Sequence, residues 1–176
     1  YEVRALWEDA AVDQGKTTER SLRSAGTRAL ETFVLRRADR VVVICEGLKW
    51  DVCLRGIPEE RVLVVPNGVD AQRFAPLKRR PEVLERYGLN GHRVIGFIGS
   101  FFPFEGLMTL LEAAPLIRAR DPHAAVMLVG GGLEEDALRQ QIAARQLSST
   151  VKLGGRVPHE EIQELYSIMD VLVYPR

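Results

Sequence analysis

Glycine-rich turns follow three apolar runs in the second half of the chain, and their residue types are the best candidates for chemistry. Gly99 and Ser100 end the first run, Gly130, Gly131 and Gly132 follow the second, and Gly154, Gly155, Arg156 and Val157 follow the third. Glycines let a backbone come close to a ligand, and the free N–H groups at the start of a helix attract anions such as phosphate. The three turns therefore predict an anion or nucleotide site, although tight strand-to-helix turns alone would favour the same residues.

Each turn stands between a predicted strand and a predicted helix. Strand Val94–Ile98 leads through an aromatic loop and Gly106 into helix Leu107–Arg120. The later elements are strand Val126–Val129, helix Glu134–Gln146, strand Val151–Leu153, helix Glu160–Met169 and strand Val171–Tyr174. Because parallel neighbours need crossover connections, this alternation predicts an α/β fold, a Rossmann-like parallel sheet with helices on both faces. The carboxyl ends of its strands would share one edge, where open α/β sheets bind ligands.

Residues 1–75 predict the tail end of another such domain and a linker, and residues 76–176 predict a truncated second domain. The predicted strands are Tyr1–Arg4, Val41–Cys45 and Val62–Val65, and the predicted hinge is Pro66, Asn67 and Gly68. A helix capped by Thr17 or Thr18 precedes the second strand. One face of it carries Leu22, Ala25, Ala29, Leu30, Phe33 and Val34, with arginines on the other face. Both ends of the sequence fall within predicted strands, so we expect an interior piece of a longer protein.

Composition excludes several functional classes. Lys+Arg and Asp+Glu number 24 each, so no net charge attracts the whole chain to nucleic acid. Cys45 and Cys53 match neither a disulfide framework nor a zinc site, which favours a reducing, cytoplasmic compartment. No apolar run approaches the ~20 residues that span a bilayer. The three histidines form no metal-binding or catalytic pattern, so we assign no metal site and no catalytic residue.

Four stretches together resemble the retaining GT-B glycosyltransferases, a family that includes sucrose synthases and many bacterial polysaccharide and lipid-sugar transferases. The first stretch joins ADRVVVI (38–44) to RVLVVPNGVD (61–70) and Phe74. The others are IGSFFPFEGLMTLLEA (98–113), LVGGGLEEDAL (128–138) and VKLGGRVPHEEIQELYSIMDVLVYPR (151–176). They cover nearly the whole chain in the family's order.

The resemblance implies two Rossmann-like domains that face each other across a cleft. The carboxyl-terminal domain would bind a nucleotide-diphosphate sugar, and the amino-terminal one a glycan or lipid-linked acceptor, with retention at the anomeric carbon and no further cofactor. The donor-binding residues would be Gly99, Ser100, Glu105, Gly106, Gly130, Gly131, Gly132, Gly155, Arg156 and Val157. Arg4, Glu8 and Asp9 are candidates for the acceptor side, where a family histidine is replaced around Arg4.

The sequence departs from the family at the loop that meets the donor diphosphate. Ser100 and Glu105 stand where the family commonly has an Arg and a Lys. A carboxylate would repel a diphosphate, so Glu105 should point elsewhere or contact a sugar hydroxyl or a cation. The family's paired glutamates would follow Arg176 and its first glycine loop would precede Tyr1, so we expect the chain alone to be inactive.

Two alternatives stay open at this point. One is a GT-B-like epimerase or phosphorylase that uses the same kind of donor. The other is a non-catalytic nucleotide-binding module, which Ser100 and Glu105 favour. We further expect the full-length protein to be cytoplasmic and peripheral to the inner membrane. Any dimer of the chain would be a product of truncation, because a severed sheet exposes edges that pair between chains.

Overall fold

A computed structural model describes residues 1–7, 18, 21–72 and 74–175. The chain divides into two compact units, Tyr1–Asp70 and Ala71–Arg176. Every strand pair among the described residues is parallel, which confirms the predicted α/β class. Within the same residues, none of the helices combines the length and the apolar character needed to cross a membrane.

The described residues of the first unit form a three-stranded sheet and two helices. Its strands lie in the order β1-β2-β3. The elements are β1 (Glu2–Val3), α1 (Leu22–Arg37), β2 (Val41–Val43), α2 (Glu46–Leu54) and β3 (Val62–Val64). Four strand valines, Val3, Val41, Val43 and Val62, pack a small buried core with Leu35 of α1 and Val52 of α2. Gly56 follows α2 with φ 84°, a left-handed conformation that suits glycine at a helix end.

Helix α1 is present as predicted, but its cap and its buried face are not the predicted ones. Ser21 caps it, accepting a 3.0 Å hydrogen bond from the Ser24 backbone N–H, whereas Thr17 lies outside the described residues. Its buried side chains are Ser24, Glu31 and Leu35. The predicted apolar face (Leu22, Ala25, Ala29, Leu30, Phe33 and Val34) instead points outward, with only Val34 half-buried.

A distant partner explains this inversion. Glu31 Oε2 accepts a 3.1 Å hydrogen bond from the Arg55 guanidinium, and each side chain is 3% exposed. A buried carboxylate is tolerated when a hydrogen-bonded cation accompanies it. Because Arg55 lies 24 residues away, the periodicity of α1 alone does not reveal which face turns inward.

The second unit is a four-stranded parallel sheet in the order β6-β5-β4-β7. Its elements are α3 (Pro81–Arg86), β4 (Arg93–Ser100), α4 (Leu107–Arg120), β5 (Ala124–Gly131), α5 (Glu135–Ala144), β6 (Val151–Gly155), α6 (Ile162–Ile168) and β7 (Val171–Leu172). Alternate side chains of β5 enter two buried clusters. Val126 and Leu128 pack with α4 and α5, and Met127 packs with α3 and α6. The predicted helices on both faces of the sheet are confirmed.

Asp170 anchors β7 to the amino end of β4. Its carboxylate accepts hydrogen bonds from the Val94 backbone N–H at 2.7 Å and from Arg79 at 2.6 Å. Burial alone would raise the pKa of this carboxyl, but these two hydrogen bonds outweigh it and hold the pKa below its usual value. This link fixes the amino end of β4. Because the strand is extended, it also fixes where the carboxyl end of β4 lies.

Candidate functional site

Three strands of the second unit end together at the carboxyl edge of the sheet. Strands β4 and β5 run two residues beyond their predicted ends, because Gly99 pairs with Gly130 and Ser100 with Gly131. After an irregularity in register, Val129 of β5 pairs with Gly155 of β6. Since β5 and β7 flank β4 on opposite sides, the chain reverses its winding at β4, which is where open α/β sheets bind ligands.

A cavity of about 400 Å³ lies at this edge. It is lined by Ile98, Gly99 and Ser100 of β4, by Val129, Gly130 and Gly131 of β5, and by Arg156, Val157 and Ile162 beyond β6. Its volume is within the range of small-molecule binding clefts.

Two glycines of β5 and its turn are required by close packing against the loop after β4. A Cβ on Gly130 would overlap the carbonyl oxygen of Gly99, and one on Gly132 would lie 2.8 Å from the carbonyl oxygen of Phe101. The loop is also tied by hydrogen bonds, from Phe101 N–H to Gly131 O at 3.1 Å and from Glu134 N–H to Phe101 O at 3.0 Å. The glycines therefore set the shape of the cavity wall, besides any contact that they make with a ligand.

Among the described residues that line the cavity, Arg156 alone carries a charged side chain. A Cβ added to Gly131 would lie 2.6 Å from Arg156 Nε and 2.7 Å from Glu135 Oε2. Both side chains therefore lie directly over Gly131. Glu135 in turn pairs with Arg139 at 3.3 Å. The lining thus offers a guanidinium, the Ser100 hydroxyl and glycine backbone, which together suit an anionic ligand rich in hydrogen-bond acceptors.

The structure brings six of the ten predicted donor-site residues to this cavity, namely Gly99, Ser100, Gly130, Gly131, Arg156 and Val157. The other four, which are Glu105, Gly106, Gly132 and Gly155, are not among its lining residues. Gly132 supports the wall as described above. The contacts of all ten with a ligand stay predictions.

The loop after β4 explains the position of Glu105. Residues 103–105 form a short 3-10 turn in which Glu105 is 8% exposed. Gly106 follows with φ 70° and starts α4, whose first residue, Leu107, is fully buried. Glu105 is thus buried in this loop and is not among the residues that line the cavity, and both options for its role stay predictions.

The remaining predicted residues belong to the first unit. Arg4 is exposed and pairs with Glu2 at 2.9 Å. Pro66, Asn67 and Gly68 are exposed and follow β3 without regular structure. Glu8 and Asp9 lie outside the described residues. The acceptor-side and hinge roles therefore stay predictions.

Sequence reasoning missed three residues of the cavity lining, Ile98, Val129 and Ile162. The first two directly precede the glycines of their strands, so extending each predicted site by one residue towards the strand would have found them. Ile162 begins α6, and its apolar type gave no signal.

A second cavity, of about 440 Å³, lies beside the edge strand β6 and includes Arg86, Arg139 and Lys152 in its lining. Arg86 pairs with Glu161 and Arg139 with Glu135, each at 3.3 Å. Both arginines already have carboxylate partners, and Lys152 donates a hydrogen bond to the Ser148 backbone carbonyl at 2.9 Å. The cavity is lined by Val151, Lys152 and Leu153 of β6, away from the carboxyl edge. It is the weaker candidate for an anion site.

The sequence profile described as Glycosyl transferases group 1 matches residues 80–176, more than half of the chain. The chain belongs to the group 1 glycosyl transferases. The profile of Glycosyltransferase Family 4 matches residues 7–73 in addition. The predicted glycosyltransferase family is thereby confirmed, and retention at the anomeric carbon stays a prediction.

Characterised members of the family are similar to this group 1 chain at moderate identity. A D-inositol 3-phosphate glycosyltransferase from Nocardia farcinica is 30% identical over 97% of this chain and 39% of its own length. A GDP-mannose-dependent alpha-(1-6)-phosphatidylinositol monomannoside mannosyltransferase from Mycolicibacterium smegmatis is 32% identical over 63% of this chain and 29% of its own length. The chain thus spans well under half the length of these relatives.

Solved structures show the same fold. The crystal structure of Anabaena Alr3699/HepE in complex with UDP and glucose matches with a TM-score of 0.75 at 21% identity, covering 99% of this chain and 45% of that chain. WaaG, a glycosyltransferase involved in lipopolysaccharide biosynthesis, matches with a TM-score of 0.73 at 17% identity, covering 99% of this chain and 49% of that one. These likenesses show that the chain has the α/β fold of these proteins.

Proposed function

We propose that this chain belongs to an enzyme that transfers a sugar from a nucleotide-diphosphate sugar to a hydroxyl of a glycan or lipid-linked acceptor, with retention at the anomeric carbon. The supporting observation is the cavity at the shared carboxyl edge of β4, β5 and β6, within a chain of the group 1 family. The GDP-mannose dependence printed for one relative and the UDP and glucose bound in one structural neighbour support a nucleotide-sugar donor.

In this proposal the cavity holds the donor diphosphate. The Ser100 hydroxyl donates a hydrogen bond to a phosphate oxygen, and Arg156 neutralises charge that grows as the glycosidic bond to the diphosphate breaks. Fixed donors aimed at developing charge are commonly the largest catalytic contribution in such sites. The donor is a substrate, and the proposal includes no further cofactor.

The full-length protein, in the same proposal, works in the cytoplasm at the surface of the inner membrane. The 176 residues alone are inactive in transfer, because groups beyond both ends complete the site. Sugar transfer by the 176-residue chain would disprove its inactivity. Product analysis of the full-length protein should show a new glycosidic bond. Free epimerised sugar nucleotide or sugar-1-phosphate would indicate an epimerase or a phosphorylase instead.

Calorimetric titration of the chain with UDP, GDP, UDP-glucose and GDP-mannose tests the donor site. We expect saturable binding of at least one of them. Arg156→Gln should weaken it about tenfold or more, because one hydrogen bond to a charged group contributes about 1.5–3 kcal/mol. Arg120→Gln is the matched control, since Arg120 is an exposed arginine at the far end of α4. Equal affinity of Arg156→Gln and the parent chain would contradict the proposed site.

A further inference from the structure

Strand β6 is an open edge of the sheet in the second unit. Among the described residues it pairs with β5 on one side only. The Val126 backbone N–H donates a 2.8 Å hydrogen bond to Thr150 O, while Val126 itself is in register with Val151. The backbone groups of Lys152 therefore face β5, and those of Leu153 face outward. Outward N–H and C=O groups on an edge strand can pair with a further strand.

A groove follows this edge and has one helix on each side of it. It is the cavity of about 440 Å³ described above, and its lining residues come from α3, α5 and β6. The two helices pack on opposite faces of the sheet, since Met127 packs with α3 and Val126 with α5. A strand edge flanked by a helix on each face offers an extended peptide both backbone partners and two side walls.

The α3 side of the groove is cationic. Lys152 is in register with Met127, so its side chain lies on the face of the sheet that α3 covers. Arg86 of α3 lines the groove on that side. Its ion pair with Glu161 is 3.3 Å long and both side chains are largely exposed. Exposed ion pairs stabilise a protein little, so an incoming carboxylate can replace Glu161 at Arg86.

The α5 side of the groove is mainly apolar. Leu153 is in register with Leu128, and both belong to the cluster that α5 covers. Ile142 and Ala143 of α5 line the groove there, together with Arg139. Because side chains alternate between the two faces of a strand, an added strand would present every second side chain to each wall.

We propose that β6 binds an extended segment of a partner protein by strand addition, and that acidic and apolar side chains alternate in this segment. Its carboxylates lie against Arg86 and Lys152, and its apolar side chains lie against Leu153 and Ile142. Its backbone pairs with the outward groups of β6. A second copy of this chain fits less well, because pairing two β6 edges would bring the cations of both grooves together.

The inference goes beyond the proposed transferase function and rests on other residues. The groove and the cavity at the carboxyl edge have no lining residue in common. Peptide binding and nucleotide calorimetry therefore test the two proposals separately, and either can fail without the other.

The probe is the synthetic peptide acetyl-GVEVEVEG-amide, titrated into the full-length protein at low ionic strength. We expect saturable binding by calorimetry and slower hydrogen–deuterium exchange at Leu153, because its outward N–H gains a partner. The peptide acetyl-GEEEVVVG-amide has the same composition and charge without the alternation. It should bind about tenfold more weakly or less, because it cannot turn its carboxylates to one wall and its valines to the other.

Two double variants test the cationic wall. Arg86→Gln/Lys152→Gln should weaken binding of the alternating peptide about threefold to tenfold, because two exposed charge pairs are lost. Arg23→Gln/Arg120→Gln is the matched control. It removes the same number of positive charges from exposed positions outside the groove, and it should bind the peptide like the parent protein.

Three results would overturn the proposal. Absence of binding would show that the edge accepts no such segment. Equal affinity for the two peptides, or equal weakening by the two double variants, would indicate attraction by net charge alone. A dimer in sedimentation experiments that slows exchange at Leu153 without peptide would assign the edge to a second copy of the protein.

Discussion

Replacing Gly130 by alanine tests the architecture of the cavity most directly. Gly130 has φ 137°, which side-chain-bearing residues rarely adopt, and its added Cβ would overlap the carbonyl oxygen of Gly99. The obstructing atom belongs to the backbone of the neighbouring strand, so a side-chain rotation cannot relieve the overlap. The two strand ends must separate for the alanine to fit.

The expected cost has two parts. At φ 137°, outside the left-handed helical region, an alanine costs about 1–3 kcal/mol, and moving packed backbone to relieve an overlap adds about 1–3 kcal/mol. We therefore expect Gly130→Ala to lower the free energy of unfolding by about 3 kcal/mol. For a unit of roughly 100 residues this corresponds to a fall in melting temperature of about 10–20 °C.

Gly155→Ala is the matched control at the same edge. Gly155 also has a positive φ, 68°, but no atom lies within 4 Å of its added Cβ. In Gly155→Ala the free energy of unfolding should fall only by the cost of the positive φ, about 1–2 kcal/mol. Gly26 lies in α1 with open space around an added Cβ. In Gly26→Ala the free energy of unfolding should rise by up to about 1 kcal/mol, because alanine favours helix.

Urea denaturation followed by circular dichroism measures all three variants. Hydrogen–deuterium exchange of residues 99–101 and 130–132 should also accelerate in Gly130→Ala and not in Gly155→Ala, because only the former forces the strand ends apart. Equal destabilisation of the two variants, with unchanged exchange at the strand ends, would refute the packing that we describe at the cavity wall.

Two further predictions concern charged pairs. Glu31→Leu or Arg55→Met alone should lower the free energy of unfolding by about 3–5 kcal/mol, because each removes a hydrogen-bonded partner of a buried charge. The double variant should lose much less, and additive losses in urea denaturation would contradict this. The lowered pKa of Asp170 means that the unfolded state binds its proton more readily, so the stabilisation from this carboxylate is complete at neutral pH and is lost as the pH falls below about 4. The difference in melting temperature between the parent chain and Asp170→Asn should accordingly shrink at low pH, and a difference that is constant from neutral to acid pH would refute this role.

Most of the fold was predictable because its signals are local. Runs of β-branched residues mark β2 and β3, and helical spacing marks α4. The predicted carboxyl ends of β4 and β5 are two residues too early, because glycine, the residue type at 99 and 130, is a poor strand former. They are strand residues here because the missing side chain of Gly130 lets the backbone carbonyl of Gly99 come close.

The face of α1 and the position of Glu105 could not be predicted, and the reason is the same for both. The burial of Glu31 depends on Arg55, 24 residues away, and the burial of Glu105 depends on how the loop after β4 folds onto the unit. Periodicity and turn patterns report only neighbouring residues, so they reveal neither the Arg55 partner of Glu31 nor the burial of Glu105. The convergence of Ser100 and Arg156 was predictable, because parallel strands bring all their carboxyl ends to one edge.

The departure from the family loop therefore has a specific consequence for how this site could meet a diphosphate. Ser100 supplies a hydroxyl where the family commonly has a guanidinium, and the burial of Glu105 removes its charge from the cavity without providing a replacement cation. Arg156, from the loop after β6, is left as the charged group of the described lining. A diphosphate bound here would accordingly lie nearer to the β5–β6 side of the edge than one held by two cations of the loop after β4.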